Sequence, residues 1–281
     1  MARGMRAAIG AVSASVVLAV AVSGCGGGHG AKAGERPATG APATSGAGTS
    51  VPTTSVPVTH PAPTTTGPVP VPSATGTPLP VPVFGSAVPV LTAQQLKAAT
   101  FRDGSVSVAY GMPVTDLKSP GTVKRRPVAP AACDHVMAIA EADTAPAGVS
   151  QLINWRTDIY PGGTVVGAYP PGGARQVFRA LTADLALCRA VSGTDYGGAK
   201  FTNRIVVEPR PAVGAQAVRF DEVAHLPDGD VRYNEWTAVR VGDVVVSFEM
   251  TDIGRRTPFP PALVTEQVRR LADAQRSASR G

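Results

Sequence analysis

The chain is short of the groups that do acid–base chemistry near neutral pH. It holds four histidines and three cysteines in 281 residues, and His29 and His60 fall in a proline-rich stretch, leaving His135 and His225 as the histidine bases of any folded part. No GxSxG elbow, SxxK, HExxH, P-loop or GxGxxG after a strand occurs. The signatures of the commonest nucleophile, zinc and nucleotide sites are therefore missing, and neither a cofactor nor a metal is expected. Charged residues make up only 16% and the net charge is +6. Lys124-Arg125-Arg126 and Arg269-Arg270 are the notable basic clusters. A nucleic-acid footprint needs many more cations on one face, so both read as solvated surface and no nucleic-acid partner is expected. Nor is there an apolar run of the roughly 20 residues that a spanning helix needs. Ala7 to Val22 comes nearest, and it is short and rich in Ala and Gly.

That run is nevertheless informative. Arg3 and Arg6 precede it, and Val22-Ser23-Gly24-Cys25 ends it with small residues before a cysteine. Basic start, apolar middle and small-residue exit make a secretory signal. The last four residues resemble the lipobox of bacterial lipoproteins, which implies cleavage before Cys25 and a thioether-linked diacylglycerol on its thiol. Two acyl chains suffice for stable anchoring where one does not. Residues 1–24 are then a cleaved signal, Cys25 is the lipidation site, and the mature chain is expected on the extracytoplasmic face of the cell membrane. Losing Arg3 and Arg6 lowers the net charge from +6 to +4, a weak bias.

The exported part keeps Cys133 and Cys188. An even pair in an oxidising compartment reads as a disulfide. The competing reading is a free catalytic or metal-binding thiol, suggested by Cys133-Asp134-His135, although adjacent residues rarely converge on one metal and no CxxC or HxxxH spacing supports them.

Residues 26–90 carry 13 of the 27 prolines, one Phe and three charged residues, too little apolar surface to fold. Runs such as Pro68-Val69-Pro70-Val71-Pro72 favour polyproline II, so residues 25–90 are expected to form a disordered, semi-rigid stalk with an upper reach on the order of 200 Å at about 3.1 Å per residue. Its Thr/Pro richness permits O-glycosylation. A single globular domain is expected over residues 91–281, a length that supports one core.

Within it, Thr92 with Gln95 reads as a capping box and Leu91 with Leu96 as a hydrophobic staple, predicting a helix from Ala93 to about Ala99. Val177, Leu181, Leu185 and Cys188 share one face of a helix expected over Gly172–Val191, with Arg175, Arg179, Asp184 and Arg189 on exposed sides. Pro260-Pro261 opens a last helix running to about Ala274. Strands are expected at Leu152–Ile159, Thr164–Tyr169, Asn203–Glu208 and Ala215–Val223. The clearest pair is Tyr233–Val241 with Val244–Met250, turned by Gly242-Asp243. That register sets Val241 against Val244, Val239 against Val246 and Thr237 against Phe248, with Asn234, Trp236, Arg240, Ser247 and Glu249 on the other side. The predicted class is α+β, an antiparallel sheet with helices on its apolar face and a polar face left to solvent.

Asp221-Glu222 and Asp228-Gly229-Asp230 are candidate cation ligands, but the second lacks the remaining spacing of an EF-hand loop and reads as a turn. Trp155, Tyr160, Tyr169, Tyr196, Tyr233 and Trp236 accompany Arg156, Arg204, Arg219 and Arg240 in the strand-rich half, the residue types that recognition surfaces enrich. The competing reading is that the aromatics cover the edge of the core while the arginines keep the sheet soluble. The polar face around Trp236, Arg240 and Glu249 is the first candidate ligand surface.

The order of lipobox, Pro/Thr stalk, LTxxQL helix, Cys133, a helix ending in Cys188, and strands closing on Val239-Arg240-Val241-Gly242-Asp243-Val244-Val245-Val246 before a terminal helix resembles the PknH-like extracellular sensor domains of high-GC Gram-positive bacteria. The likeness spans about residues 91–276. It implies a central antiparallel sheet with flanking helices, a cleft for an unidentified ligand, and Cys133–Cys188 as one family disulfide, a second bridge often present there being missing. The expected function is a membrane-anchored, non-enzymatic sensor or binding domain for an envelope ligand. The alternatives are a cell-wall hydrolase with an unrecognised site and an accessory subunit of an envelope complex with a membrane-protein partner.

Overall fold

The computed structural model describes residues 76–84, 87–117, 126–195 and 197–280. The signal sequence, Cys25, Lys124-Arg125, Tyr196 and the stalk up to residue 75 lie outside them. The described chain runs α1 (Ala93–Ala99), β1 (Ala109–Gly111), β2 (Val114–Asp116), α2 (Ala131–Ala140), β3 (Ala147–Trp155), β4 (Gly162–Ala168), α3 (Gly173–Leu187), β5 (Ala190–Thr194), β6 (Lys200–Glu208), β7 (Gln216–His225), β8 (Val231–Val241), β9 (Val244–Ile253) and α4 (Pro261–Ala278). The fold is α+β. Its strands form one antiparallel sheet in the order β1-β3-β4-β9-β8-β7-β6-β5, with β2 also paired to β3.

The β8–β9 register follows from the sequence: Val241 faces Val244, Val239 faces Val246 and Thr237 faces Phe248. Gly242 turns the hairpin at φ 57°, a left-handed conformation that glycine adopts without steric penalty. A Cβ at Gly242 would also collide with the Gln275 side chain. Gln275 holds the turn, its Nε2 donating to Val241 O at 2.8 Å and its Oε1 accepting from Asp243 N at 3.0 Å. This is why α4 continues past Ala274 to Ala278. On the other side of the turn, Asp243 Oδ1 accepts from Gly172 N at 2.7 Å and so fixes the start of α3.

The sheet is packed on both faces, which corrects the expected polar side. α1 and α4 cover one face, where Leu96, Val264 and Leu271 meet Val239, Val246 and Phe248. α2 and α3 cover the other, where Val136, Val177, Phe178 and Leu181 meet Phe220, Trp236, Ala238 and Val245. The second core was disguised because the strands meet these helices with Ala238, Ser247 and an aromatic, small or amphipathic residues that let helices approach closely.

Three further expectations are revised. α3 stops at Leu187 and Cys188 is extended, because Ala190–Thr194 leaves to pair with β6. β3 begins at Ala147 rather than Leu152, its glycine-containing start accommodated where Gly148 lies against Leu117 and the β4 backbone. α2 went unforeseen; its alanine-rich stretch buries Cys133, Val136, Ile139 and Ala140. Cys133 and Cys188 form a disulfide that joins α2 to the end of α3.

Packing also begins upstream of Leu91. Leu79 N donates to Asp184 Oδ1 at 2.8 Å, Phe84 meets Tyr169 edge-on at 5.4 Å, and Val90 N donates to Tyr169 O at 3.0 Å. The segment expected to be the end of the stalk is thus laid along α3.

Candidate functional site

Trp236, Arg240 and Glu249 do lie on one face of the sheet, but they form no continuous surface. Trp236 is only 5% exposed and stacks on Phe220 at 6.3 Å, inside the core under α2 and α3. Glu249 is its cross-strand partner, whereas Arg240 sits four residues along β8, roughly 13 Å away at about 3.3 Å per residue. The covered middle separates two polar ends.

The Arg240 end is an open hollow. The apolar stripe of α3, Val177, Leu181 and Leu185, is buried, which turns Arg175, Arg179 and Thr182 outward at i, i+4 and i+7. These three, with Ala183, Gln216 and Arg240, line a 470 Å³ hollow. Gln216 Oε1 accepts from Arg240 Nε at 2.7 Å, and Arg240 Nη1 donates to Gly242 O at 2.9 Å, so this guanidinium is fixed from two sides. No carboxylate lines the hollow, and none pairs with Arg175, Arg179 or Arg240 among the described residues. A second hollow of 590 Å³ shares Arg175 and Arg179 and is walled by Leu79, Pro80 and Pro82 of the entering segment. Three guanidiniums without counter-charge are suited to carboxylate or phosphate oxygens, which they can hold through charge-assisted hydrogen bonds.

At the other end, Glu222 accepts from Asn203 Nδ2 at 2.5 Å and from Asn234 Nδ2 at 3.2 Å, and Asn234 Oδ1 accepts from Thr251 at 3.0 Å. Burial pushes the Glu249 carboxyl up to about 7; Glu222 adds to the rise and Arg232 opposes it.

The remaining candidates separate. Asp221 and Glu222 are neighbours on β7 and point to opposite faces, as alternation requires, so they share no cation. Asp228-Gly229-Asp230 is a turn, closed by Leu226 N donating to Asp230 O at 2.8 Å, with Gly229 at φ 94°. His135 Nδ1 lies 3.0 Å from Asp184 Oδ2, the carboxylate whose other oxygen holds Leu79 and which is fully buried rather than on an exposed side of α3. His225 is exposed at the end of β7. Among the described residues no group of three His, Cys, Asp or Glu could hold a metal.

Sequence reasoning placed Arg175 and Arg179 on an exposed helix side but did not join them to Arg240. The only signal was three arginines of unassigned partner; their meeting depends on α3 lying across the β7–β8 end of the sheet.

No protein-family model matches the chain, and no curated protein matches it in sequence. Among solved structures, the chain is similar to the extracellular domain of PknH from Mycobacterium tuberculosis, at 14% identity and a TM-score of 0.48 over 69% of this chain and 100% of that one. It is also similar to an uncharacterised protein from Mycobacterium smegmatis, at 12% identity and a TM-score of 0.28 over 70% of this chain and 98% of that one.

Proposed function

We propose that this chain is an extracytoplasmic lipoprotein whose domain, tethered by its stalk to a lipid on Cys25, binds an anionic envelope component and does not act as an enzyme. The observation that carries the binding reading is the hollow in which Arg175, Arg179 and Arg240 meet without a carboxylate. The Val22-Ser23-Gly24-Cys25 sequence supports the anchor. The Cys133–Cys188 bridge supports an oxidising compartment, where such bonds persist.

Replacing Cys25 with Ala is expected to move the chain from the membrane to the soluble fraction on cell fractionation. Retention of the variant in the membrane would remove the anchor from this reading. For the ligand, the full chain is titrated with N-acetylmuramic acid, a wall sugar bearing a carboxylate, and with glycerol 3-phosphate, against the neutral N-acetylglucosamine and glycerol. One or both anions should bind more tightly as salt is lowered, and Arg179→Glu should weaken them at least tenfold, about 1.4 kcal/mol, since it removes a donor and adds a like charge. Equal binding of neutral and anionic probes, or an unchanged affinity in Arg179→Glu, would exclude the arginine hollow as the site.

A further inference from the structure

The opposite face of the same strands carries a second polar group that the arginine hollow does not involve. Registry places Glu208 beside Arg219, Arg219 beside Thr237, and Asp221 beside Glu235. From the segment after β9, Arg256 Nη1 reaches Glu208 Oε1 at 2.6 Å and Arg256 Nε lies 3.1 Å from Asp221 Oδ2, with the guanidinium over the Tyr233 ring at 5.5 Å. The Asp221 contact is an ion pair of poor angle, since neither Asp221 oxygen accepts a hydrogen bond. Three carboxylates thus face two guanidiniums, and the group carries one excess negative charge when all are ionised.

One carboxylate of this group, Glu235, lines a cavity, with Arg219 beside it. Between this patch, the 211–213 loop and the start of α4 is a 160 Å³ space with a polar floor of Arg219, Glu235 and Thr237 and an apolar wall that includes Val213, Phe259 and Val264. Glu235 is 6% exposed and accepts no hydrogen bond from any described side chain. Arg219 Nε is buried without a partner as well. A buried carboxylate is costly unless something compensates it, and its present company sets the two guanidiniums of Arg219 and Arg256 against two further acids, Asp221 and Glu208. Burial holds the carboxyls of both Asp221 and Glu235 above the usual range; Arg256 and Arg219 respectively oppose this, and the neighbouring acids reinforce it.

We propose that the cavity is a binding site for a small aliphatic primary amine, the ammonium resting on Glu235 beside Thr237 and the carbon chain against Phe259 and Val264. The ammonium neutralises the excess charge, and the apolar wall gains from covering its stem. The volume of 160 Å³ equals about five waters of liquid. It falls below the roughly 300 Å³ at which pockets for drug-sized ligands begin, so the amine is a short chain or the end of a longer one.

The test uses isobutylammonium and its uncharged near-isostere isobutanol, titrated into the full chain at pH 7.5 while the methyl resonances of Val213 and Val264 are followed. Isobutylammonium should shift both methyls saturably, and isobutanol should bind at least tenfold more weakly. Glu235→Gln, which keeps the volume and removes the charge, should lose at least tenfold in affinity for the amine. Absence of a saturable shift at tens of millimolar, equal binding of the alcohol, or unaltered affinity in Glu235→Gln overturns the site. The comparison of the two compounds on the unaltered chain stands even if the variant folds poorly. Arg179→Glu should leave amine binding unchanged, so this site and the arginine hollow fail or succeed separately.

Discussion

Replacing Cys133 and Cys188 together with Ala should lower the unfolding free energy of the domain by about 4 kcal/mol, because the bridge closes a loop of 55 residues in the unfolded chain. At about 2–4 °C per kcal/mol for a domain of this size, the melting temperature should fall by roughly 8–16 °C. The loss should be uneven. α2 carries no side-chain cap at its N-terminus, and its packing partners are α3 and β5. One end of the bridge lies in its first turn, so the bridge holds α2 where its capping does not. Amides of Ala131–Ala140 should therefore exchange faster in the double variant well before those of β8 and β9, which lie in the middle of the sheet. Both sulfurs are buried, at 0% and 1% exposure, so the double substitution is a cleaner probe than added reductant. A melting temperature within 2 °C of the unaltered chain would mean that α2 is held by packing alone.

What could be read in the sequence was local. Thr92 and Gln95 make the reciprocal bonds of a capping box, Gln95 N donating to Thr92 Oγ1 at 3.3 Å and Thr92 N to Gln95 Oε1 at 2.8 Å, and the helix spans Ala93–Ala99 as expected. The Gly242-Asp243 turn fixed its strand register in the same way, through the geometry of two residues. Reading failed where a residue's meaning depends on what crosses above it. Trp236 looked like part of a polar face because Asn234 and Arg240 flank it on the same side; α2 and α3 cover the Trp236 level and leave the two ends open. Arg175 and Arg240 are 65 positions apart, and Glu208 and Arg256 are 48 apart. Neither pairing has a spacing rule, since both arise from the order of strands in the sheet.

Glu249→Gln should make the domain more stable at pH 8 by about 2 kcal/mol and change it little at pH 4.5, an unusual gain for a substitution in a packed sheet. Glu249 is half-buried opposite Trp236, and its carboxyl is pushed up to about 7 from an unfolded value near 4.5, first by burial and then by Glu222. Below pH 4.5 the carboxyl is protonated in both states and contributes nothing to the difference. Between 4.5 and 7 the unfolded chain loses its proton while the folded chain keeps it, so stability falls as pH rises; above 7 the full penalty is present. The shift corresponds to at most about 3 kcal/mol at 1.36 kcal/mol per unit, reduced to about 2 by the partial exposure of the side chain. Asp221 and Glu235 are raised in the same direction, so the unaltered chain should melt at a higher temperature at pH 5 than at pH 8. Glu249→Gln should flatten that gradient without abolishing it, and chemical denaturation at both values measures the difference. Equal destabilisation by Glu249→Gln at pH 5 and pH 8 would show that the carboxylate is held by compensating contacts, and would move the pH sensitivity of this domain to the Asp221 and Glu235 cluster on the other face.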